Sequence, residues 1–481
     1  MIGRVMGLAR RVSVRQLFRN PRAELGRILG WVGRRLQRVA TLTAHGRQEV
    51  PAWLREEMVA LASIEPALVG EHGEPHPYGY YGVPFLTKPG ELYRELQAAV
   101  GARYFSHVMV LPWLVRGGAD RGALHHLKAW SESMPVENIL LLLTEDVESA
   151  WLDRVPEGIK VVSFGRIVGS MVLEGRVQLL TRLLVQMQPE VIHTINSRVA
   201  WQSFKTFGLA LRQESKLFAS LYCDDYSTDM VPVGYARSYL RECHPHLTRV
   251  FCDNTVYPVR WAHELGVPLD LFSVLRFPHA GPVREKTDPY EIPGVPRVLW
   301  AGRFDRQKRL DVLAATARAM PTVPFDVHGV SDLGSTDPAL ALLTSLPNVT
   351  LHGAFSHFES ILRPDHAAYL FTSAWEGLPT ILLDAAAAGV PIVAPAVGGV
   401  VDLIEHSWLV DDPGDVGAFQ NRLERLREDP QLRRLRRRKQ YDALSNGRSW
   451  EDFIHALQTI AHYLPVEAQA LHRISQQGST T

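Results

Sequence analysis

Short apolar runs alternate with helix-length amphipathic segments from about residue 105 onward. The apolar runs predict strands over His107–Leu114, Asn138–Thr144, Lys160–Phe164, Val191–Ile195, Lys216–Cys223 and Arg249–Cys252. The segments between them, such as Gly122–Trp130 and Gln178–Gln188, are long enough for helices. Alternation of strands and helices favours a parallel sheet with helices on both faces.

The same alternation begins again after Pro293–Pro296, a segment of Pro and Gly that we predict to be a linker. Its predicted strands are Arg297–Ala301, Phe325–Gly329, Val349–His352, Ala368–Thr372 and Pro391–Ala394. Two such series predict an α/β protein with two facing Rossmann-like domains, residues 105–292 and 293–449, and a cleft between them. In sheets of this kind, ligands bind outside the carboxyl ends of the strands.

The ends of the chain differ from this pattern. Residues 1–104 are predicted to be an N-terminal extension, in which Met1–Arg47 contains eleven arginines, no lysine and one acid, Glu24. Apolar residues at helical spacing within it predict a basic amphipathic helix, followed by an irregular lead-in. This helix suits an anionic membrane surface, and packing on the protein body is an equal alternative. Near the other end, Trp450–Leu464 predicts an apolar helix whose packing partner the pattern leaves open.

Composition narrows the class of protein. A chain of 481 residues suggests two or three domains. Lys plus Arg is 52 and Asp plus Glu is 51, so the balanced charge gives no reason to expect nucleic acid as a partner. The three cysteines form no CxxC motif, which favours a reduced, cytoplasmic protein. We expect no membrane-spanning helix, so an enzyme working at the membrane would lie on its inner face.

A Gly-Gly turn follows the first predicted strand. Gly117 and Gly118 stand between that strand and the next helix, and Asp120 follows them. Glycine allows the backbone to approach a ligand closely, and a helix N-terminus presents free N–H groups. The segment lacks the GxGxxG pattern of NAD-binding proteins. An ordinary turn with no ligand is the alternative.

The first strand of the second series leads into a loop with two cations. Gly302 follows the strand, and Arg303 and Lys308 flank the loop before the next helix. Arginine can chelate phosphate oxygens with its fork, and lysine adds a point charge, so the pair suits a diphosphate. A solvated basic loop is the alternative.

A later strand end carries the most specific pattern. It runs from Phe371 through Ser373 to the turn Glu376-Gly377-Leu378-Pro379, and a helix is predicted from Thr380. Backbone N–H groups at such a turn can hold an anion or hydroxyls. Glu376 and Asp384 are candidate acceptors for sugar or ribose hydroxyls, unless Glu376 is a buried capping residue and Asp384 a surface acid. A second Gly-Gly turn, Gly398-Gly399, follows the next strand and could add backbone donors.

The first domain offers fewer candidates for chemistry. His193 stands in a predicted strand, where it could be functional or simply packed. Asp224 and Asp225 follow an apolar strand, and two acids there would be costly to bury without a ligand or a cation. No DxD motif is present, so a metal-bound diphosphate site is not predicted.

These motifs resemble the family-four retaining glycosyltransferases, which have the GT-B fold, and the bacterial surface-polysaccharide enzymes among them. The similarity covers roughly residues 105–464 and is strongest between Val298 and Val410, where G-R-x4-K, E-G-x-P and A-x-x-x-G-x-P-I-V-A fit. The Gly-Gly-Ala-Asp loop resembles that family's N-terminal glycine loop. The resemblance also implies that helix 450–464 crosses back to the first domain.

The resemblance implies a reaction and a set of roles. A sugar would pass from a nucleoside diphosphate sugar to a hydroxyl of a glycan or lipid-linked glycan, with retention and without a required cofactor or metal. Arg303 and Lys308 would bind the diphosphate, and Glu376 with the backbone of 377–380 would hold the sugar and phosphate. Asp384 would contact the ribose in place of the family's glutamate, one methylene longer.

Within the first domain, the resemblance makes Asp224 a candidate catalytic acid near the acceptor. Gly117, Gly118, Asp120, His193 and Asp225 are the other candidates for the acceptor side. Two alternatives to a transferase remain open at this point: a GT-B nucleotide-sugar epimerase and a non-catalytic subunit that binds sugar nucleotides or glycans.

Overall fold

The computed structural model describes residues 52–64, 87–279, 292–331 and 337–465. The chain divides into two compact units, Met1–Leu92 and Tyr93–Thr481. The described part of the first unit contains helix α1 (Ala52–Leu61) and the beginning of α2 (Thr87–Val100). The predicted basic helix before Arg47 lies outside the described residues. Within the described ranges, every helix is too short or too polar to cross a membrane.

Seven parallel strands form the first sheet of the unit Tyr93–Thr481. They are β1 (His107–Leu111), β2 (Ile139–Leu143), β3 (Lys160–Val162), β4 (Val191–Ile195), β5 (Lys216–Ser220), β8 (Leu247–Cys252) and β9 (Phe272–Val274). Two further strands of this N-terminal half, β6 (Asp225–Tyr226) and β7 (Pro232–Val233), form a separate hairpin. The sheet order is β3-β2-β1-β4-β5-β8-β9. Its order reverses between β1 and β4, which opens a crevice at their carboxyl ends.

Helices connect these strands. They are α3 (Gly118–Ser133), α4 (Phe164–Val168), α5 (Leu173–Met187), α6 (Arg198–Leu211), α7 (Arg241–Cys243) and α8 (Val256–Leu265). A π-helical segment over Ala236–Leu240 runs directly into α7.

The C-terminal half repeats the arrangement with five parallel strands. They are β10 (Arg297–Ala301), β11 (Phe325–His328), β12 (Val349–Gly353), β13 (His366–Leu370) and β14 (Ile392–Val393). Their order, β12-β11-β10-β13-β14, reverses between β10 and β13. The helices are α9 (Leu310–Ala319), α10 (Ala339–Ser345), α11 (Thr380–Ala387), α12 (Val416–Glu428), α13 (Pro430–Ser445) and α14 (Trp450–Gln458).

The central strands are continuous apolar runs because helices cover both faces of each sheet. Every residue of β1, β2, β4 and β13 is buried. The predicted α/β fold of two Rossmann-like halves is therefore confirmed. The predicted first strand extends three residues too far, since Pro112 follows β1 and has no N–H for the sheet. The three-residue strand β9 and the hairpin β6–β7 were not predicted.

The C-terminal segment contacts the N-terminal half. Trp450 Nε1 donates to Glu132 at 2.7 Å. Beyond α14, Tyr463 is fully buried, and its hydroxyl lies 2.8 Å from both His126 Nδ1 and His193 Nδ1. The backbone N–H of His279 also donates to Arg448 O at 3.1 Å, so the two chain segments near the junction of the halves lie side by side.

This buried network predicts a stability effect. Tyr463→Phe removes a hydroxyl that can donate to one imidazole nitrogen and accept from the other, so a buried ring nitrogen loses its partner. We expect the free energy of unfolding to fall by about 1–3 kcal/mol in urea titrations.

The matched control is Tyr104→Phe, because the exposed Tyr104 hydroxyl donates to Glu190 at 3.0 Å near the surface. We expect this control to change stability by no more than about 0.5 kcal/mol. Equal losses in the two variants would contradict a structural role for the buried hydroxyl.

Candidate functional site

The loops that follow β10 and β13 meet at the point where the strand order of the second sheet reverses. Gln307, from the first loop, joins them in two ways: its carbonyl accepts from Ala374 N at 2.9 Å, and its Nε2 donates to Trp375 O at 2.8 Å. The Thr372 hydroxyl adds a third link by donating to Lys308 O at 2.6 Å. The two most specific sequence motifs are thus brought into one place.

Lys308 lies in a 3-10 turn (Arg306–Lys308). Asp305 caps the N-terminus of this turn, because its carboxylate accepts from Lys308 N at 3.1 Å. Its ammonium forms an ion pair with Glu376, with Nζ 2.5 Å from Oε1. Both side chains are largely buried, at 15% and 12% exposure. A charge pair in so little water interacts strongly, so this pair fixes the position of both groups.

Arg303 lies on the outer side of the same loop. Its side chain is 56% exposed, and Nη2 lies 3.2 Å from Asp305 Oδ2. Gly302, which precedes it, donates its N–H to His328 O at 3.0 Å and so continues the sheet by one bond. The structure therefore brings Gly302, Arg303 and Lys308 to the carboxyl end of β10, where the sequence predicts a diphosphate site.

The turn Glu376-Gly377-Leu378-Pro379, which we name the donor turn, packs against the second Gly-Gly turn. Gly399 N donates to Gly377 O at 2.9 Å. Gly398 has φ +46°, and a Cβ added there would lie 1.7 Å from Glu376 O. Only glycine fits this approach. The Gly398-Gly399 turn therefore packs directly on the backbone of the donor turn and supports it.

The N-terminal half holds the other side of the donor turn. Asp253, directly after β8, accepts the Leu378 N–H with Oδ2 at 3.1 Å and the Asn254 amide with Oδ1 at 2.7 Å. A Cβ on Gly377 would lie 3.0 Å from Asp253 Oδ1, so a larger residue would require the neighbouring atoms to shift slightly. Burial raises the pKa of Asp253 to about 7, against the opposing effect of these hydrogen bonds.

Helix α11 begins immediately after Pro379, so the N–H groups of its first turn open towards the donor turn. Thr380 is its first residue, and a Cβ on Gly118 of the N-terminal half would lie 3.7 Å from Thr380 Cγ2. One turn further, Asp384 accepts from Arg121 of α3 at 3.1 Å. Ser373 is buried, and its hydroxyl has no hydrogen-bond partner among the described residues.

The side chain of Asp120 holds the glycine loop after β1 in place. Asp120 Oδ1 accepts from Val115 N at 2.9 Å, and a Cβ on Gly117 would lie 2.7 Å from Asp120 Oδ2. The Asp120 carboxylate therefore shapes the loop. Gly118 is the loop residue that approaches the second half.

Three other candidates of the N-terminal half already have hydrogen-bond partners among the described residues. Asp224 is fully buried and accepts from Arg237 Nη2 at 2.6 Å and from Trp261 Nε1 at 2.8 Å. Its charge is thus compensated by an arginine, which favours a structural role over the predicted catalytic one. Asp225 is exposed at the start of β6, where its side chain accepts from Tyr226 N at 2.8 Å.

His193 is the third. Its Nε2 lies 2.9 Å from Ser220 Oγ, and burial lowers its pKa to about 3, so it is neutral at neutral pH. With its other nitrogen bound to Tyr463, both ring nitrogens are engaged in the core. Of the two alternatives for this histidine, the packed one is favoured.

Sequence reasoning missed Arg121, Asp253 and Gln307. Asp253 carries the signal that drew attention to Asp224, an acid directly after an apolar strand. Arg121 follows the Gly-Gly turn in the first turn of a helix. Both act on residues more than a hundred positions away, and a single sequence gives no sign of such pairings.

Comparisons with known proteins agree with this geometry. Residues 295–429 match the family model described as Glycosyl transferases group 1. This segment contains both loops of the switch point and the donor turn. A comparison with curated proteins gave no match.

Several solved structures are similar in fold. TarM has 10% sequence identity and a TM-score of 0.57, with 74% of this chain and 98% of that chain covered. The sucrose-phosphate synthase of Thermosynechococcus elongatus has 18% identity and a TM-score of 0.54, with 77% and 100% covered. The lipopolysaccharide outer core galactosyltransferase WaaB, in its apo form, has 18% identity and a TM-score of 0.52, with 73% and 99% covered.

At TM-scores below 0.5, this chain also matches further chains, of which it spans 58 to 60%. The fold is that of GT-B glycosyltransferases, and the family match of the C-terminal half supports glycosyl transfer.

The close approach at Gly398 gives a prediction for the donor turn. Gly398→Ala should displace the Glu376 carbonyl and weaken binding of a nucleoside diphosphate by about 1–3 kcal/mol, the usual cost of overpacking. Gly353→Ala is the matched control, because Gly353 also has a positive φ, +76°, but nothing lies within 4 Å of its added Cβ. Calorimetry with UDP, GDP and ADP measures both. Equal affinities for the two variants would show that the donor turn does not bind the nucleotide.

Proposed function

We propose that this protein transfers a sugar from a nucleoside diphosphate sugar to a hydroxyl of a glycan or lipid-linked glycan, with retention of anomeric configuration. The observation that carries the proposal is the largely buried Lys308–Glu376 pair at the strand-order reversal, with Glu376 four positions before the start of α11. A cation, a carboxylate and free backbone N–H groups lie together where an α/β sheet binds its ligand. The family match over the same segment supports it.

The leaving diphosphate is the group that most needs stabilisation. As the bond between the anomeric carbon and the phosphate oxygen breaks, negative charge develops on that oxygen. Lys308, Arg303 and the first N–H groups of α11 offset this charge. Because these donors are held in place by Asp305, Gln307 and the donor turn, they need little reorganisation during the reaction.

The acceptor hydroxyl replaces the diphosphate on the same face of the sugar. Its oxygen bonds to the anomeric carbon and its proton passes to the departing phosphate oxygen, so the products are the glycoside and a nucleoside diphosphate. This route needs no enzyme nucleophile and no metal. Glu376 and the backbone of 377–380 would hold the sugar and phosphate, and Asp384 the ribose hydroxyls. The approach of the two halves would exclude water, which otherwise hydrolyses the donor.

Product analysis distinguishes this function from its alternatives. The protein is incubated with a panel of nucleoside diphosphate sugars, with and without a cell lipid extract, and products are identified by mass spectrometry and by NMR. A transferase releases the nucleoside diphosphate and adds a hexose mass to an acceptor. An epimerase keeps the donor mass and changes only its stereochemistry. A binding subunit leaves every donor intact, and either of the last two results would refute the proposal.

The cation roles predict a loss of turnover. Arg303→Ala and Lys308→Ala should each raise the activation free energy of donor hydrolysis by about 2–4 kcal/mol, as for removal of one preorganised donor. Arg318→Ala is the control, since Arg318 is an exposed arginine in the last turn of α9. Melting curves show whether each variant is folded. Full turnover in Arg303→Ala or Lys308→Ala would remove the proposed diphosphate site.

We also propose that the protein works on the inner face of the cell membrane, because eleven arginines with a single acid over Met1–Arg47 would favour an anionic leaflet. Each basic residue near such a surface contributes about 1 kcal/mol to the free energy of membrane binding, and salt weakens this attraction. The full chain should therefore sediment with anionic liposomes at low salt, and less at high salt or with neutral liposomes. Sedimentation that ignores salt and lipid charge would refute this location.

A further inference from the structure

Arg121 extends from the first turn of α3 in the N-terminal half to Asp384 on α11 of the C-terminal half. Its Nη1 lies 3.1 Å from Oδ1 and 3.4 Å from Oδ2 of the carboxylate, and its Nη2 lies 3.3 Å from Oδ2. Two nitrogens of one guanidinium therefore engage both carboxylate oxygens. This is the fork geometry in which arginine fixes the direction of a carboxylate as well as its charge.

The pair contributes more to orientation than to stability. Its side chains are 37% and 27% exposed, and an ion pair at that exposure adds little to the free energy of unfolding. A carboxylate has about four acceptor positions, so the fork leaves others for further donors. Rotation of the Asp384 carboxylate would break the bonds to Arg121. The free acceptor positions are therefore held in one direction.

A second residue near Asp384 does not replace this function. His279 Nε2 lies 3.9 Å from Asp384 Oδ1. Burial lowers the pKa of His279 below its usual value. The Asp384 carboxylate opposes this effect and the charge of Arg121 adds to it, so the imidazole is neutral at neutral pH. Its Nδ1 is buried without a hydrogen-bond partner among the described residues. Of the two neighbours, Arg121 and not His279 therefore supplies the positive charge beside Asp384.

We infer that Arg121 is a positioning residue for nucleotide recognition: it holds Asp384 in the orientation in which its free acceptor positions bind the two ribose hydroxyls. This inference rests on the proposed function, in which Asp384 contacts the ribose. Aspartate is a short side chain for that contact, and an arginine from the opposite half fixes its direction. The N-terminal half thereby takes part in recognising the nucleotide, and recognition of the ribose requires the halves to lie at this spacing.

Ligands with and without ribose hydroxyls test the inference. Calorimetry with the full chain first finds which of UDP, GDP and ADP binds, and the same diphosphate is then compared with its dideoxy analogue, which lacks both hydroxyls. Arg121→Met should weaken binding of the ribose form about tenfold, the worth of one charged hydrogen bond, and leave the dideoxy affinity unchanged. Arg121→Lys, which keeps the charge without the fork, should give an intermediate loss.

The partner and a control complete the design. Asp384→Asn should show the same selectivity as Arg121→Met, and the double variant should bind no more weakly than either single variant, because both changes remove one interaction. Arg363→Met is the control, since Arg363 also engages both oxygens of an aspartate, Asp365, at 2.9 and 3.0 Å. It should keep both affinities.

Two results would overturn the inference. If Arg121→Met weakens the ribose and dideoxy forms equally, Arg121 acts on the phosphates or on the fold, and its role through Asp384 is wrong. If the wild-type protein binds none of the three diphosphates, the proposed donor site itself fails and the inference falls with it. The wild-type titration separates these two failures.

Discussion

The donor turn has no regular structure of its own, and its position depends on contacts from two sides. The Gly398-Gly399 turn contacts it from within the C-terminal half, where Gly399 N donates to Gly377 O. Asp253, a buried acid of the N-terminal half, accepts the Leu378 N–H from the other side. Since buried backbone groups need partners, this arrangement also satisfies the turn. Because helix α11 begins directly after the donor turn, the position of this turn also determines where Thr380 and Asp384 lie.

Two ion pairs lie next to the donor turn. The nearly buried Lys308–Glu376 pair joins the loops after β10 and β13, and the more exposed Arg121–Asp384 pair joins the two halves. Each candidate ligand-binding group is therefore compensated by an opposite charge, which lowers the cost of holding it away from water. The arrangement favours an anionic ligand, because the charged side chains are balanced in pairs while the helix N-termini at this edge add partial positive charge.

The part of the candidate site that could be predicted from the sequence is the part that lies in local motifs. Arg303, Lys308 and the donor turn belong to two contiguous segments, and each segment follows a strand that an apolar run predicts, so the edge of the sheet brings them together. The partners across the cleft could not be predicted this way, because the pairing of Arg121 with Asp384 depends on how the two sheets face each other. Asp224 illustrates another limit. An acid after an apolar strand is a candidate for function, but its partner Arg237, from a nearby π-helical segment, does not follow from that local pattern.

The central claim is that a nucleoside diphosphate binds at an edge built from both halves. Hydrogen exchange of the full chain, measured by mass spectrometry with and without saturating UDP, GDP or ADP, tests it most directly. The account predicts slower exchange in three segments together: the loop 302–309, the donor turn with the start of α11, and the glycine loop with the start of α3 in the other half. Protection confined to the N-terminal half, or no protection by any of the three diphosphates, would contradict it.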